Sequence, residues 1–240
     1  MAERIAKFIA RSGVCSRRKA EELILQQRVS VNGEFITSPA FNVEGNEKIC
    51  IDGEKISEKE ETRVWLYHKP VGLVTTHKDE KDRPTVFDNL PSVMPRVISV
   101  GRLDLNSEGL LILTNNGELA RKLELPENGW IRRYKIKVHG TISRDKFAEI
   151  SKGTSVDGVR YAPTKIEVES TQGSNSWLVI SISEGKNREV RKLMKYAGLD
   201  VARLIRLSYG PFQLGSLKRG EVKEVPMKVL KEQLGEGFEL

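Results

Sequence analysis

The residues at 100–110, Val-Gly-Arg-Leu-Asp-Leu-Asn-Ser-Glu-Gly-Leu, are the ones best suited to chemistry. They join two apolar runs but are themselves polar and turn-forming, the composition of a rigidly held loop on which functional groups sit. Asp104 stands between Leu103 and Leu105, which would set a carboxylate against apolar surroundings. A carboxylate so placed can serve as nucleophile or general base. A plainer reading has Asp104 and Asn106 stabilising a turn. Taken alone, the residues favour the plainer one.

A second constellation lies near the C-terminal end. Val190, Leu193, Met194 and Ala197 recur at helical spacing. Arg188, Arg191, Lys192 and Lys195 follow the same spacing displaced by two residues, roughly 200° around a helix of about 3.6 residues per turn. One face should pack and the other present four cations. A solvated amphipathic helix would look the same, but four cations with no interleaved acid suit a phosphate backbone better.

The chain that must position these groups has 240 residues, 38% hydrophobic and 30% charged, with a net charge of +7. That is enough apolar material for one or two domains, and the basic balance favours a polyanionic partner without requiring one. Cys15 and Cys50 are isolated, which argues against a zinc site or a disulfide framework. His68, His77 and His139 are scattered without ligand-spaced carboxylates, so no metal is expected. Charges at Glu3, Arg4 and Lys7 break every early apolar run, so neither a signal peptide nor a membrane span is expected and the cytoplasm follows.

The first sixty residues read as a small module. Ile5, Ala6, Phe8 and Ile9 mark a short amphipathic helix ended by Ser12-Gly13. Ser16 is placed to cap a second helix with Ala20, Leu23, Ile24 and Gln27 on one stripe. Asn32-Gly33 and Asp52-Gly53 each sit between short β-prone runs and predict hairpins. Arg17, Arg18 and Lys19 crowd the first turn of the second helix, where they oppose the macrodipole. Cations there make sense if a phosphate docks, or they are merely solvated. Residues 1–28 carry seven basic and three acidic side chains and residues 29–60 the reverse, so the module is polarised. The run RIAKFIARSGVCSRRKAEELILQQRVSVNGE resembles an S4 domain, which implies that the helix bearing Arg17, Arg18 and Lys19 contacts structured RNA.

Residues 57–62 are polar and charged, which puts a boundary near residue 60 and gives domains at 1–60 and 61–240. Beyond it, strands are expected at 64–67, 73–76, 97–100, 110–114, 134–138, 178–182 and 201–207. Helices are expected near 118–123, 144–150 and 186–197. Strands not regularly separated by crossover helices predict an α+β fold with a mixed, mostly antiparallel sheet flanked by helices, behind an α-rich N-terminal module.

The segment GRLDLNSEGLLILTNNGELA is similar, almost position for position, to the signature of RsuA-type and RluB-type ribosomal RNA pseudouridine synthases. The resemblance extends to 67–73 (YHKPVGL), to Arg133-Tyr134, to 184–192 (EGKNREVRK), to 203–206 and to Gly210-Pro211. Glu189 departs from it, since glutamine is more usual there. The resemblance implies that Asp104 is the essential catalytic residue, that Arg191 pairs with it, and that Tyr134 stacks on the uracil and takes the final proton. It implies that Arg102 fills the space left by a flipped base, and it adds Lys186, Arg188, Lys192 and Lys195 as RNA contacts. No metal or organic cofactor is implied. The expected partner is ribosomal RNA or a partly assembled subunit, acted on by a monomer, and residues 95–100 and 130–134 look closer to the large-subunit group. A non-catalytic ribosome-assembly factor would share the basic faces but has no need of Asp104 with Tyr134 and Arg191. An RNA N-glycosylase would release free uracil.

Overall fold

The computed structural model describes residues 2–56 and 61–235. The polar stretch expected to separate two domains lies mostly outside the described residues. In the N-terminal module, helix α1 (Ile5–Arg11) buries Ile5, Ala6, Phe8 and Ile9. Helix α2 (Arg17–Leu25) starts at Ser16, whose hydroxyl accepts from the backbone N–H of Lys19 at 3.1 Å. Both expected hairpins form, in a four-stranded sheet. Asn32 and Gly33 take φ of 53° and 93°, Asp52 and Gly53 of 52° and 83°, the left-handed pair that a tight two-residue turn demands. Ala20, Leu23, Ile24, Val29, Val31 and Ile49 close one apolar core over this sheet. Lys7 of α1 forms an ion pair with Glu118, which ties the module to the rest of the chain.

The larger part is built on one nine-stranded sheet. Its main path runs Lys165–Gln172, Asn175–Ile182, Arg132–His139, Asp200–Tyr209, Glu108–Thr114, Val64–Lys69 and Val222–Glu224. Asp200–Tyr209 and Glu108–Thr114 pair in parallel; the other strand pairs of this sheet are antiparallel. The expected mixed, mostly antiparallel α+β architecture is therefore the observed one. Tyr134, Ile136 and Val138 alternate inward along their strand, as a half-buried strand requires. They pack with Leu178, Ile180, Leu204 and the apolar stripe Val190, Leu193, Met194 and Ala197. On the other face Leu110, Ile112 and Tyr209 meet helices α3 (Gly117–Glu124) and, near the end of the chain, Met227–Leu234. Glu108–Thr114 is buried at every position because both faces are covered.

Three local expectations need correction. Residues 73–76 form no regular strand. Val74 makes only an isolated bridge with Thr85, and the Thr75 hydroxyl donates to Leu103 O at 2.9 Å, so this segment serves a neighbouring loop instead of a ladder. The helix expected from 186 begins at Glu189; counting α4 at Arg144–Ser151, this is α5 (Glu189–Tyr196). Arg188 before it takes a left-handed φ of 52°, which ends helical geometry there. The expected set also lacks the strand Lys165–Gln172, a sheet edge exposed at all but Ile166 and marked in the sequence only by Ile166 and Val168.

Gly109 shows how tightly the parallel pair is drawn. It has φ of 107°, and a Cβ there would lie 2.4 Å from Arg206 O and 2.5 Å from Arg206 N. Strain and overlap together should make Gly109→Ala cost about 3 kcal/mol or more. Urea unfolding of the purified variant should show a correspondingly lower midpoint, and an unchanged midpoint would mean that the two strands are free to part.

Candidate active site

The loop 101–107 enters the sheet at the parallel pair, and the carbonyls of five successive residues in it are taken. Leu103 O accepts from Thr75 Oγ1, Asp104 O from Ser107 N at 3.0 Å and Lys69 Nζ at 3.1 Å, and Leu105 O from Gly72 N at 2.9 Å. Asn106 O accepts from Arg191 Nη2 at 2.8 Å, and Ser107 O from Lys69 Nζ at 2.9 Å. Gly101 N donates to Glu124 Oε1 at 2.6 Å, which anchors the loop's start to α3. A backbone held at five successive residues can present one side chain in a fixed direction.

Lys69 is the hub of this arrangement. It is 0% exposed, and its ammonium donates to Pro70 O at 3.0 Å as well as to the two loop carbonyls. Burial and the charge of Arg206 lower its pKa to about 8, against the opposing pull of Asp104 and Glu108. Glu108, also buried, is clamped by Arg203 and by Arg219 Nε at 2.9 Å. Burial pushes its carboxyl up, but the hydrogen bonds and charges of the two arginines outweigh this and hold it below the ordinary carboxylate range.

Asp104 itself is freed by this scaffold. Its carboxylate accepts no hydrogen bond from the turn, so the turn is held by main-chain and Lys69 contacts, not by its side chain. The side chain is 41% exposed on the wall of a cleft of about 500 Å³, a size that suits a small ligand or a single nucleotide. The apolar enclosure expected from Leu103 and Leu105 is thus only half realised. Tyr134 is buried at the cleft wall, on the strand position paired with Arg206.

The cations divide into groups. Arg188 Nη1 lies 3.8 Å from Asp104 Oδ2, the ion pair that the carboxylate makes. Arg191, expected as the partner, instead donates to Asn106 O and to Val201 O at 3.0 Å. Asp104 still raises the pKa of Arg191, though burial and the neighbouring Arg188 lower it overall. The expected basic stripe on α5 is therefore not a uniform face: Arg188 precedes the helix, Arg191 turns inward, Lys192 is half-buried and Lys195 is exposed. Lys186 lies in the preceding loop, with Nζ bonded to Arg160 O at 2.7 Å and Glu184 Oε1 at 2.6 Å. Arg102 is exposed at the cleft mouth. Arg17, Arg18 and Lys19 are exposed on the N-terminal module, and none of them lines the cleft.

Arg206 was not singled out from sequence. It is buried, its Nε donates to Leu110 O at 2.7 Å, and its Nη2 has no hydrogen-bond partner among the described residues. The signal was present: Leu204, Arg206 and Ser208 alternate on a buried face, and a cation in that register demands a reason.

Comparison with known proteins gives the family. The family model for RNA pseudouridylate synthases matches residues 63–196, and that for the S4 domain matches residues 3–49. The chain belongs to the RNA pseudouridylate synthase family, with an S4 domain at its N-terminal end. An RNA pseudouridine synthase of Rickettsia felis is 47% identical over 230 residues, 96% of this chain and all of that one. A ribosomal large subunit pseudouridine synthase B of Salmonella typhimurium is 40% identical over 234 residues, 95% of this chain and 80% of the relative. A crystal structure of a pseudouridylate synthase superposes with a TM-score of 0.67 at 26% identity, covering 97% of this chain and 99% of that one. Both resemblances read from the sequence are thus borne out. Among the described residues no helix is long and apolar enough to cross a membrane.

Proposed function

We propose that the chain isomerises a uridine of ribosomal RNA, in the large subunit, to pseudouridine, with Asp104 as its catalytic residue. The observation that carries this is the Asp104 loop: every carbonyl from Leu103 to Ser107 is tied down while the carboxylate, paired only loosely with Arg188, lines a nucleotide-sized cleft. In the reaction the C1′–N1 bond breaks, the uracil turns within the cleft, a C1′–C5 bond forms, the proton on C5 is removed and N1 takes up a proton in its place. Atoms balance without any co-reactant. The target nucleotide must leave its stack, at a cost of a few kcal/mol. Arg102, at the cleft mouth, fills the vacated space.

Asp104 has to be ionised to act, which a cation beside it favours. Arg188 supplies that cation in the free protein, and Arg191 fixes the loop through Asn106 while adding its charge nearby. Tyr134 stacks on the uracil and takes the C5 proton. Lys186, Lys192 and Lys195 contact the RNA backbone around the cleft, and Arg17, Arg18 and Lys19 contact it from the S4 module. In this reading residues 1–60 hold the RNA and residues 61–240 modify it, as a cytoplasmic monomer. The large-subunit assignment rests on the name of the Salmonella relative and on its identity over most of both chains.

Deproteinised rRNA and partly assembled subunits of both sizes, treated with the protein and mapped for pseudouridine by carbodiimide-dependent reverse-transcription stops, test the assignment. A single new stop in large-subunit rRNA is expected. A stop confined to small-subunit rRNA would overturn the choice of subunit. Tight binding to either RNA without any stop would favour an assembly factor.

A further inference from the structure

Glu189 is only 3% exposed, yet it lines the same cleft as Asp104. Its Oε2 accepts from Lys186 N at 2.9 Å, closing the turn that carries Arg188 toward Asp104. Its Oε1 is buried and has no hydrogen-bond partner among the described residues. The charged groups facing it are Glu184 and Lys186 on the preceding loop and Arg132 on the strand Arg132–His139. Both cations are committed elsewhere. Lys186 Nζ bonds Arg160 O and Glu184, and the Arg132 guanidinium donates to Ser183 O at 3.1 Å and Tyr209 Oη at 3.0 Å. Among the described residues neither lies within ion-pair distance of Glu189.

An ionised carboxylate in this position would leave one buried oxygen with no donor, an arrangement that proteins avoid by neutralising the group. The neutral acid keeps the one bond that the turn needs, because Oε2 can still accept from Lys186 N as a carbonyl oxygen. It also keeps a second negative charge out of a cleft that must admit a phosphate backbone.

We infer that Glu189 is a positioning residue held as a neutral carboxylic acid, and that RNA is bound well only while it keeps its proton. This rests on the cleft being the nucleotide site. Burial, reinforced by Glu184, raises the pKa of Glu189, opposed by the Lys186 N–H bond and by the charges of Lys186 and Arg132. A raised value means that the proton is present below it and lost as pH climbs through it, so binding should weaken on the alkaline side.

The test compares wild type with Glu189→Gln, whose amide accepts the same bond but cannot ionise. Affinity for a fluorescent rRNA fragment and single-turnover release of tritium from C5-labelled uridine are followed from about pH 6 to about pH 9. The wild-type dissociation constant should rise with pH by roughly fivefold more than that of the variant, the scale of one added like charge near the RNA. The chemical step at saturating RNA should show no such difference. Parallel pH profiles in the two proteins would overturn the inference. Carboxyl ¹³C titration of the wild-type chain gives the same answer should the variant not fold: a buried glutamate still neutral at pH 7 is expected, and all glutamates ionised there would refute it. Should neither protein release tritium at any pH, the synthase reading fails, while the binding profiles still decide the role of Glu189.

Discussion

Asp104→Asn should bind RNA and fold as the wild type does, while its single-turnover rate of pseudouridine formation falls by at least about 10⁴-fold, the scale seen when an essential catalytic group is removed. The separation of the two effects follows from how the residue is held. What the fold uses at this position is the carbonyl, which accepts from Lys69 and from Ser107 N. The carboxylate is 41% exposed, and its ion pair to Arg188, at 3.8 Å, is long and open to solvent. Such a pair contributes little to stability, typically below about 1 kcal/mol. The amide of asparagine is nearly isosteric but can neither attack carbon nor accept a proton at neutral pH. Thermal unfolding and RNA affinity measured beside the rate check the prediction. A variant that retains within about tenfold of the wild-type rate would remove Asp104 from the chemistry, since tenfold is only about 1.4 kcal/mol of barrier.

Lys69→Met should damage both stability and rate. The lysine is fully buried, and its ammonium satisfies three carbonyls, two of them in the Asp104 loop. Methionine fills much of the volume but leaves Pro70 O and Ser107 O without this donor, in a site that also holds the buried charges of Glu108 and Arg206. Each buried acceptor left unmade costs about 1–3 kcal/mol, so a loss of about 3 kcal/mol or more is expected, or roughly 10 °C in melting temperature for a domain of this size. Because the loop backbone sets the direction of the carboxylate, a displacement of about 1 Å should lower the rate by on the order of 10²-fold even where the fold survives. Calorimetry and single-turnover kinetics at a temperature where the variant is folded check the two effects separately. A stable variant with a lowered rate would confine Lys69 to loop positioning. A variant with full activity would mean that Thr75, Gly72 and Arg191 hold the loop without it.

What could be read from the sequence was what is decided locally. Ser16 as a cap, Asn32-Gly33 and Asp52-Gly53 as turns, and the strand at 134–138 all depend on a few neighbouring residues, and all are present. Asp104 is the instructive case. Its own surroundings favoured a turn former, and only the longer motif pointed to chemistry. In the structure the turn is indeed there, but it is made by carbonyls and Lys69, which leaves the carboxylate free.

The relations that escaped are long-range. Lys69 is 35 residues from the Asp104 carbonyl that it holds, and nothing in its neighbours says that its ammonium is buried. The exchange between Arg188 and Arg191 as the partner of Asp104 turns on one left-handed residue at the start of α5, which helical spacing cannot anticipate. The edge strand Lys165–Gln172 carries apolar alternation only at Ile166 and Val168, too short a run to mark a strand, because it is exposed at all but one position.

The most direct measurement is the fate of hydrogen and base together, with rRNA labelled at uridine C5 by tritium and in the uracil ring by ¹⁴C. The wild-type protein should release tritium to water in a one-to-one ratio with pseudouridine formed, with all ¹⁴C remaining in the RNA, and Asp104→Asn should release neither label. Free ¹⁴C-uracil would make the protein an N-glycosylase, and tritium retained by RNA that the wild type binds tightly would contradict isomerisation altogether.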